Sequence, residues 1–221
     1  KSLTDEKVKY CYNKKIEKTP TGTCLILITP DSERTMCTFL GVAGKIVPDD
    51  IDENFIKQSE LVFLEGYLWD EGEPKAAFDK ALTLANKSAM TLSDKFCVDR
   101  HKESFYNLVK NKLDLTFANE QEIMELINAK TFNEVVEFGK NLNKILVITK
   151  SDKGSVAING SEIIECKGQK GLKIVDLTGA GDLFAAGFLH GYINKMSIKE
   201  SLQKGTDMAS KIIQKIGARL N

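Results

Sequence analysis

From Leu61 onward the chain alternates short apolar runs with amphipathic stretches, and this alternation constrains the fold more than any other feature. Leu61-Val62-Phe63-Leu64 reads as a buried strand. Pro74 sits in a first helical turn, followed by Ala77, Phe78, Ala81, Leu82 and Leu84 at helical spacing. Ala89 to Leu92 is the next strand, Phe105 to Lys110 a helix, Leu113 to Ala118 a strand and Glu120 to Asn128 a helix. Phe132 to Asn141 is a further helix, and Ile145 to Thr149 a strongly apolar strand. Ser155 to Ile158 and Glu162 to Cys166 form a hairpin around Asn159-Gly160, and helices from about Asp182 to Ile193 and Ile198 to Ile216 close the chain. Ahead of this, Tyr10 to Leu40 is strand-like: Leu25 to Ile28, a turn at Pro30-Asp31-Ser32-Glu33, then Thr35 to Leu40. Strands alternating with helices predict an α/β layered fold with a mainly parallel sheet. In such sheets ligands sit beyond the carboxyl ends of the strands, which directs attention to the loops after Leu64, Leu92, Ala118, Thr149 and Val175.

Composition removes several function classes. Lys plus Arg is 31 and Asp plus Glu is 31, so the chain has neither the basic excess nor the basic stripe of a nucleic-acid binder. Cys11, Cys24, Cys37, Cys97 and Cys166 are scattered without a CxxC pair, which reads as reduced thiols of a cytoplasmic protein. His101 and His190 are too few and too far apart for a zinc site. No apolar run approaches the roughly 20 residues of a membrane span.

The most informative stretch is Asp176-Leu177-Thr178-Gly179-Ala180-Gly181-Asp182-Leu183-Phe184-Ala185-Ala186-Gly187-Phe188. A glycine-rich turn enters an apolar helix, so open backbone N–H groups and the positive end of the helix make an anion cradle. Asp182 would repel a phosphate that only had to be bound. It makes sense as the group that takes a proton from an attacking hydroxyl. For an isolated Gly-x-Gly-Asp the plainer alternative, a helix cap on an ordinary turn, has the stronger claim.

The whole thirteen-residue stretch resembles the second signature of the ribokinase-like (PfkB) carbohydrate kinases, Asp-x-Thr-Gly-Ala-Gly-Asp followed by Phe and Gly-Phe. The resemblance implies that Gly179, Ala180 and Gly181 form the anion hole and that Asp182 is the catalytic base, with Thr178 beside the nucleotide. Asn119-Glu120-Gln121-Glu122 resembles the family's Asn-x-x-Glu motif, which organises Mg²⁺ through water. By its residues alone it is an ordinary capping box. Thr149-Lys150-Ser151-Asp152-Lys153-Gly154 resembles the Thr-x-Gly-x-x-Gly nucleotide loop, with Thr149, Lys150 and Gly154 assigned to it and Ser151 where glycine is usual. Lys153 reads as a solvated charge. The implied cofactors are ATP and Mg²⁺, with room for a monovalent cation.

Pro20-Thr21-Gly22-Thr23-Cys24, Glu33-Arg34-Thr35-Met36, Glu65-Gly66-Tyr67-Leu68 and the closing Ile216-Gly217-Ala218-Arg219 are similar to adenosine kinases and to adenosine-kinase-like bacterial sugar kinases. Arg34 is the candidate cation near substrate, although an arginine at a hairpin end is as readily a solvated one. The resemblance implies a three-layer α/β/α sandwich, residues 1–221 forming one domain that lacks the first strand or strands and most of the lid. Such a chain is expected to be weakly active or inactive alone and to expose apolar surface that favours self-association, a homodimer included. The expected partner is a small sugar or nucleoside, not nucleic acid or membrane. Two rivals stand beside this reading. A dinucleotide-binding oxidoreductase needs Gly-x-Gly-x-x-Gly after an early strand, whereas the glycine turn here is near the end of the chain. A non-catalytic nucleotide-binding or regulatory relative of the kinase fold is the other: the intact Asp182 counts against it, and the missing N-terminal part counts for it in this chain.

Overall fold

A computed structural model describes residues 3–11 and 18–220. Two strands, β1 (Thr23–Ile28) and β2 (Arg34–Phe39), form an antiparallel hairpin. The helix α1 (Glu53–Gln58) follows, and then six further strands: β3 (Val62–Glu65), β4 (Ser88–Thr91), β5 (Leu115–Asn119), β6 (Ile145–Thr149), β7 (Ser155–Asn159) and β8 (Glu162–Cys166). These make one sheet in sequence order. β3 to β6 run parallel, and β7 and β8 are each antiparallel to the strand before. The helices are α2 (Glu73–Leu84), α3 (Lys95–Asn107), α4 (Glu120–Ile127), α5 (Phe132–Asn141), α6 (Ala180–Ile193) and α7 (Ile198–Ile212).

The period of two along the central strands sorts their side chains into two cores. Leu146 and Ile148 of β6 join Met90, Ile123 and Ile158 against α2 to α5. Val147, between them, joins Leu115, Phe117 and Ala157 against α6 and α7. On that second face Phe117 meets Phe188 edge-on at 5.4 Å and Phe63 at 5.8 Å. Helices cover both faces, giving the three layers that the alternation in sequence predicts.

Several boundaries differ from the sequence expectation. β3 is half-buried rather than buried, because it is an edge strand. α3 starts at Lys95, ten residues early, because Asp94 caps it through the Phe96 N–H (2.7 Å). α6 starts at Ala180 on the glycine turn itself. α7 stops at Ile212, and the residues beyond fold back so that the Ile213 carbonyl accepts from Val175 N–H (2.8 Å). The β7–β8 turn is centred on Gly160-Ser161. Tyr10 and Cys11 are not in a strand, and residues 12–17 of the same expected stretch lie outside the described residues. The apolar hairpin is outside the core: Leu25 is 62% and Phe39 53% exposed. No helix among the described residues is long and apolar enough to cross a membrane.

Candidate functional site at the carboxyl ends of the strands

The glycine turn is built from its buried side. Asp176, 1% exposed, accepts through one oxygen from Thr178 N–H (2.8 Å) and Thr178 Oγ1 (2.6 Å), and through the other from Gly217 N–H (2.8 Å). Gly179 then adopts a left-handed backbone (φ 78°), which glycine reaches more readily than any other residue, and caps α6. Ala180 N–H is spent on the Leu177 carbonyl (3.2 Å), whereas Gly181 and Asp182 N–H have no backbone acceptor among the described residues. A Cβ placed on Gly181 would meet nothing within 4 Å. Of the residues expected to form the anion hole, Gly181 has an open N–H, as does Asp182 beside it, whereas the Ala180 N–H already has a partner. Thr178 is buried, with its hydroxyl on Asp176. Asp182 itself is exposed at the first turn of α6.

Other carboxylates converge on this face. Glu65, the last residue of β3, has its carboxyl raised by burial and then by the charge of Asp182. Burial also raises the Tyr67 phenol, helped by Asp94, Glu122 and Asp182, while Tyr67 Oη donates to the Ser93 carbonyl (2.8 Å). Asn119 and Glu122 form a closed pair at the junction of β5 and α4. Asn119 N–H and Nδ2 donate to the two oxygens of Glu122 (2.9 and 2.7 Å), and Glu122 N–H donates to Asn119 Oδ1 (2.8 Å). The capping box expected from sequence is thus present, and it uses both ends of the Asn119 amide.

Burial pushes the Glu122 carboxyl up to about 7, against the hydrogen bond from Asn119 N–H and with repulsion from Asp94. A carboxyl raised from 4.5 in the unfolded chain to about 7 contributes stability that is complete below pH 4.5 and is lost as pH rises to about 7. Its full size is on the order of 3 kcal/mol. Glu122→Gln cannot ionise, so its stability relative to wild type should improve by that order between pH 5 and pH 8 in thermal melts. His101, lowered chiefly by burial, acts in the opposite direction in both proteins and cancels in the difference. A difference independent of pH would mean that Glu122 ionises freely.

Thr149 lies beside Asn119 in the β5–β6 register, so the two motifs share one edge of the sheet. In the loop after it, Lys150 N–H donates to the Gly154 carbonyl (2.7 Å) and the Lys150 ammonium lies 3.5 Å from the centre of the Phe132 ring. Ser151 takes a left-handed conformation (φ 52°), which explains why glycine suits that position. Arg34 begins β2, and Ser32 Oγ at the hairpin tip donates to the Ile174 carbonyl (3.1 Å). The tip therefore rests on the segment leading into the glycine turn; against burial, which raises it, the Asp176 carboxyl is held low by hydrogen bonds from Thr178 and Gly217, with the Arg34 charge adding least. Among the described residues no three His, Cys, Asp or Glu side chains are grouped to ligate a metal directly.

The chain matches the pfkB family carbohydrate kinase profile over residues 1–221. It belongs to the pfkB carbohydrate kinase family. The adenosine kinase from Sinorhizobium meliloti is similar in structure, with a TM-score of 0.94 and 35% identity, covering 99% of this chain and 68% of that one. An uncharacterized sugar kinase of Archaeoglobus fulgidus is 27% identical over 90% of this chain and 78% of its own length. A 5-dehydro-2-deoxygluconokinase of Listeria monocytogenes is 26% identical over 77% of this chain, which spans only 55% of that enzyme.

Within this pfkB fold, Asn119, Glu122, Thr149, Lys150 and the Gly179–Asp182 turn all lie at the carboxyl ends of β5 and β6 or at the start of α6. Sequence reasoning assigned no role to Glu65, Asp94 or Asp176. A charge closing the apolar run of β3 was the available signal for Glu65. Asp176 opens the glycine-rich signature, which was its signal, and Asp94 gave none beyond its position in a loop.

Proposed function

We propose that this chain carries the phosphoryl-transfer machinery of an ATP-dependent kinase. Its acceptor is a hydroxyl, a primary one, of a sugar or nucleoside, with adenosine or a related ribosyl compound favoured. The observation that carries the reading is Asp182, exposed beside the open Gly181 amide and facing Glu65. A carboxylate on an anion cradle suits proton abstraction from a hydroxyl as its oxygen attacks the γ-phosphorus and the bond to the β–γ bridging oxygen breaks, releasing ADP. Gly181 and Asp182 N–H would stabilise charge on the transferring group. Mg²⁺, brought with the nucleotide, would neutralise phosphate charge. The paired Asn119 and Glu122, each already hydrogen-bonded to the other, suit contact through water rather than direct ligation. Adenosine is favoured by the 35% identity to an adenosine kinase along 99% of this chain.

The test is ATP-dependent phosphorylation of adenosine, other nucleosides, ribose, fructose and 5-dehydro-2-deoxygluconate by this chain and by Asp182→Ala. Turnover of one acceptor that disappears in the variant supports the reading and names the substrate. ATP binding without turnover of any acceptor favours the non-catalytic alternative. Turnover that survives in Asp182→Ala overturns the assigned base.

A further inference from the structure

We propose that Ser93 is a positioning residue that clamps Tyr67 beside Asp182, on the side where the acceptor substrate arrives. The proposal rests on the reading that Asp182 takes a proton from that substrate. Ser93 lies in the loop after β4, at the carboxyl end of the sheet. Its backbone is left-handed (φ 73°), and across it the Asp94 N–H donates to the Leu92 carbonyl (2.9 Å). A three-residue turn closed in this way at positive φ is the rare and strained form of the γ-turn. Glycine reaches that conformation without cost, and serine does not. Strained backbone of this kind persists only where its surroundings hold it, and it gathers at functional sites.

What the strained turn holds is Tyr67. Ser93 Oγ accepts from Tyr67 N–H (3.3 Å) and donates to the Thr91 carbonyl (3.3 Å), while Ser93 N–H donates to Thr91 Oγ1 (3.2 Å). The Ser93 carbonyl, turned outward by the γ-turn, accepts from Tyr67 Oη (2.8 Å). One residue thus grips Tyr67 at both ends, by its backbone and by its phenol. The segment after β3 lies flat on the turn: a Cβ on Gly66 would lie 3.0 Å from the Thr91 and Leu92 carbonyl oxygens and 3.1 Å from Ser93 Oγ. Tyr67 is nevertheless 47% exposed. Its phenol is raised chiefly by burial, with Asp94 and, less strongly, Asp182 among the charges that add to this. The hydroxyl is therefore held inward, within reach of the Asp182 charge, and the rest of the side chain stays open. An aromatic wall that is already fixed costs nothing to order when a substrate binds. Glycine at position 93 would relieve the backbone but lose the hydroxyl, which gives serine a reason to stand there.

Ser93→Gly and Ser93→Ala test the clamp. Both lose the hydroxyl, but glycine relieves the strain and alanine keeps it, so Ser93→Gly should melt above Ser93→Ala. Both should raise the KM of the acceptor substrate about 10-fold, with the ATP KM within about threefold. A merely structural Ser93 would instead give losses that follow the melting temperature. Nitration by tetranitromethane, mapped by mass spectrometry, reads the grip without turnover, because the phenolate is the reacting form. Relative to Tyr106, Tyr67 should be nitrated about fivefold faster in either variant than in wild type, since its phenol is no longer held in a buried hydrogen bond. An unchanged Tyr67 nitration rate in both variants overturns the clamp. An unchanged acceptor KM in both, or a rise confined to Ser93→Ala, overturns its service to the acceptor substrate. If wild type turns over no acceptor, the kinase reading fails alone and nitration still decides the clamp.

Discussion

Replacing Asp182 with asparagine is expected to lower kcat by about 10³-fold on the acceptor that wild type phosphorylates, with the ATP KM within about threefold. Asparagine keeps the size of the side chain and can still accept a hydrogen bond, but it cannot take the acceptor proton. The rest of the cradle is untouched, because Gly181 N–H and the backbone of the turn do not depend on the Asp182 side chain. Asp182 is exposed, so the fold should be little affected, with stability within about 0.5 kcal/mol of wild type. Nucleotide binding should not weaken, since the change removes a negative charge beside the phosphates. The same change should let Glu65 ionise more easily, because Asp182 is one of the two causes raising its carboxyl. Steady-state kinetics across pH measure the rate, the ATP KM and the shift of Glu65, and thermal melts measure the stability. If the variant retains a tenth or more of wild-type kcat, the base is another group, and Glu65 is the first to examine.

Asp182 was legible because its whole context is local. The turn, the helix start and the carboxylate lie within a few residues, and each has a plain physical meaning. The same holds for β6 and α5, whose bounds follow from an unbroken apolar run and from a clear helical period capped by Thr131. The Asn119–Glu122 pair was visible for the same reason. Glu65, Asp94 and Asp176 were not, because their roles arise only when separate strands and the chain's end are brought together. Asp176 looked like a step in a motif until Gly217 was found on its second oxygen. The hairpin misled in the opposite sense: Leu25-Ile26-Leu27-Ile28 has the composition of a core strand, yet it stands outside both cores. Periodicity and propensity report what a strand can bury, not whether a partner lies against it. The sequence expectation covered only the part of α3 beyond His101, where the helix is broken (φ −124°).

The second large effect concerns the seam between α6 and α7, where Gly187→Val should lower stability by about 3 kcal/mol. In an exposed helix the loss of a glycine would be favourable by roughly 0.5–1 kcal/mol. Here the two helices touch through their backbones. A Cβ on Gly187 would lie 2.6 Å from the Lys204 carbonyl oxygen and 2.9 Å from the Gly205 Cα, and one on Gly205 would lie 2.8 Å from the Phe184 carbonyl oxygen. Backbone atoms cannot rotate away as a side chain can, so the helices must separate. Separation withdraws Phe184, Phe188 and Leu202 from the core beneath the sheet, where Phe188 and Leu202 are fully buried. For a domain of this size such a loss corresponds to a Tm lower by on the order of 6–12 °C. Ala186→Val, one residue earlier on the exposed side of α6, is the control and should stay within about 0.5 kcal/mol of wild type. Thermal melts of the three proteins decide it. Equal Tm values for Gly187→Val and Ala186→Val would mean that the helices can part at little cost. A fall confined to Gly187→Val would show that the platform carrying Asp182 is held in place by contact between glycine backbones.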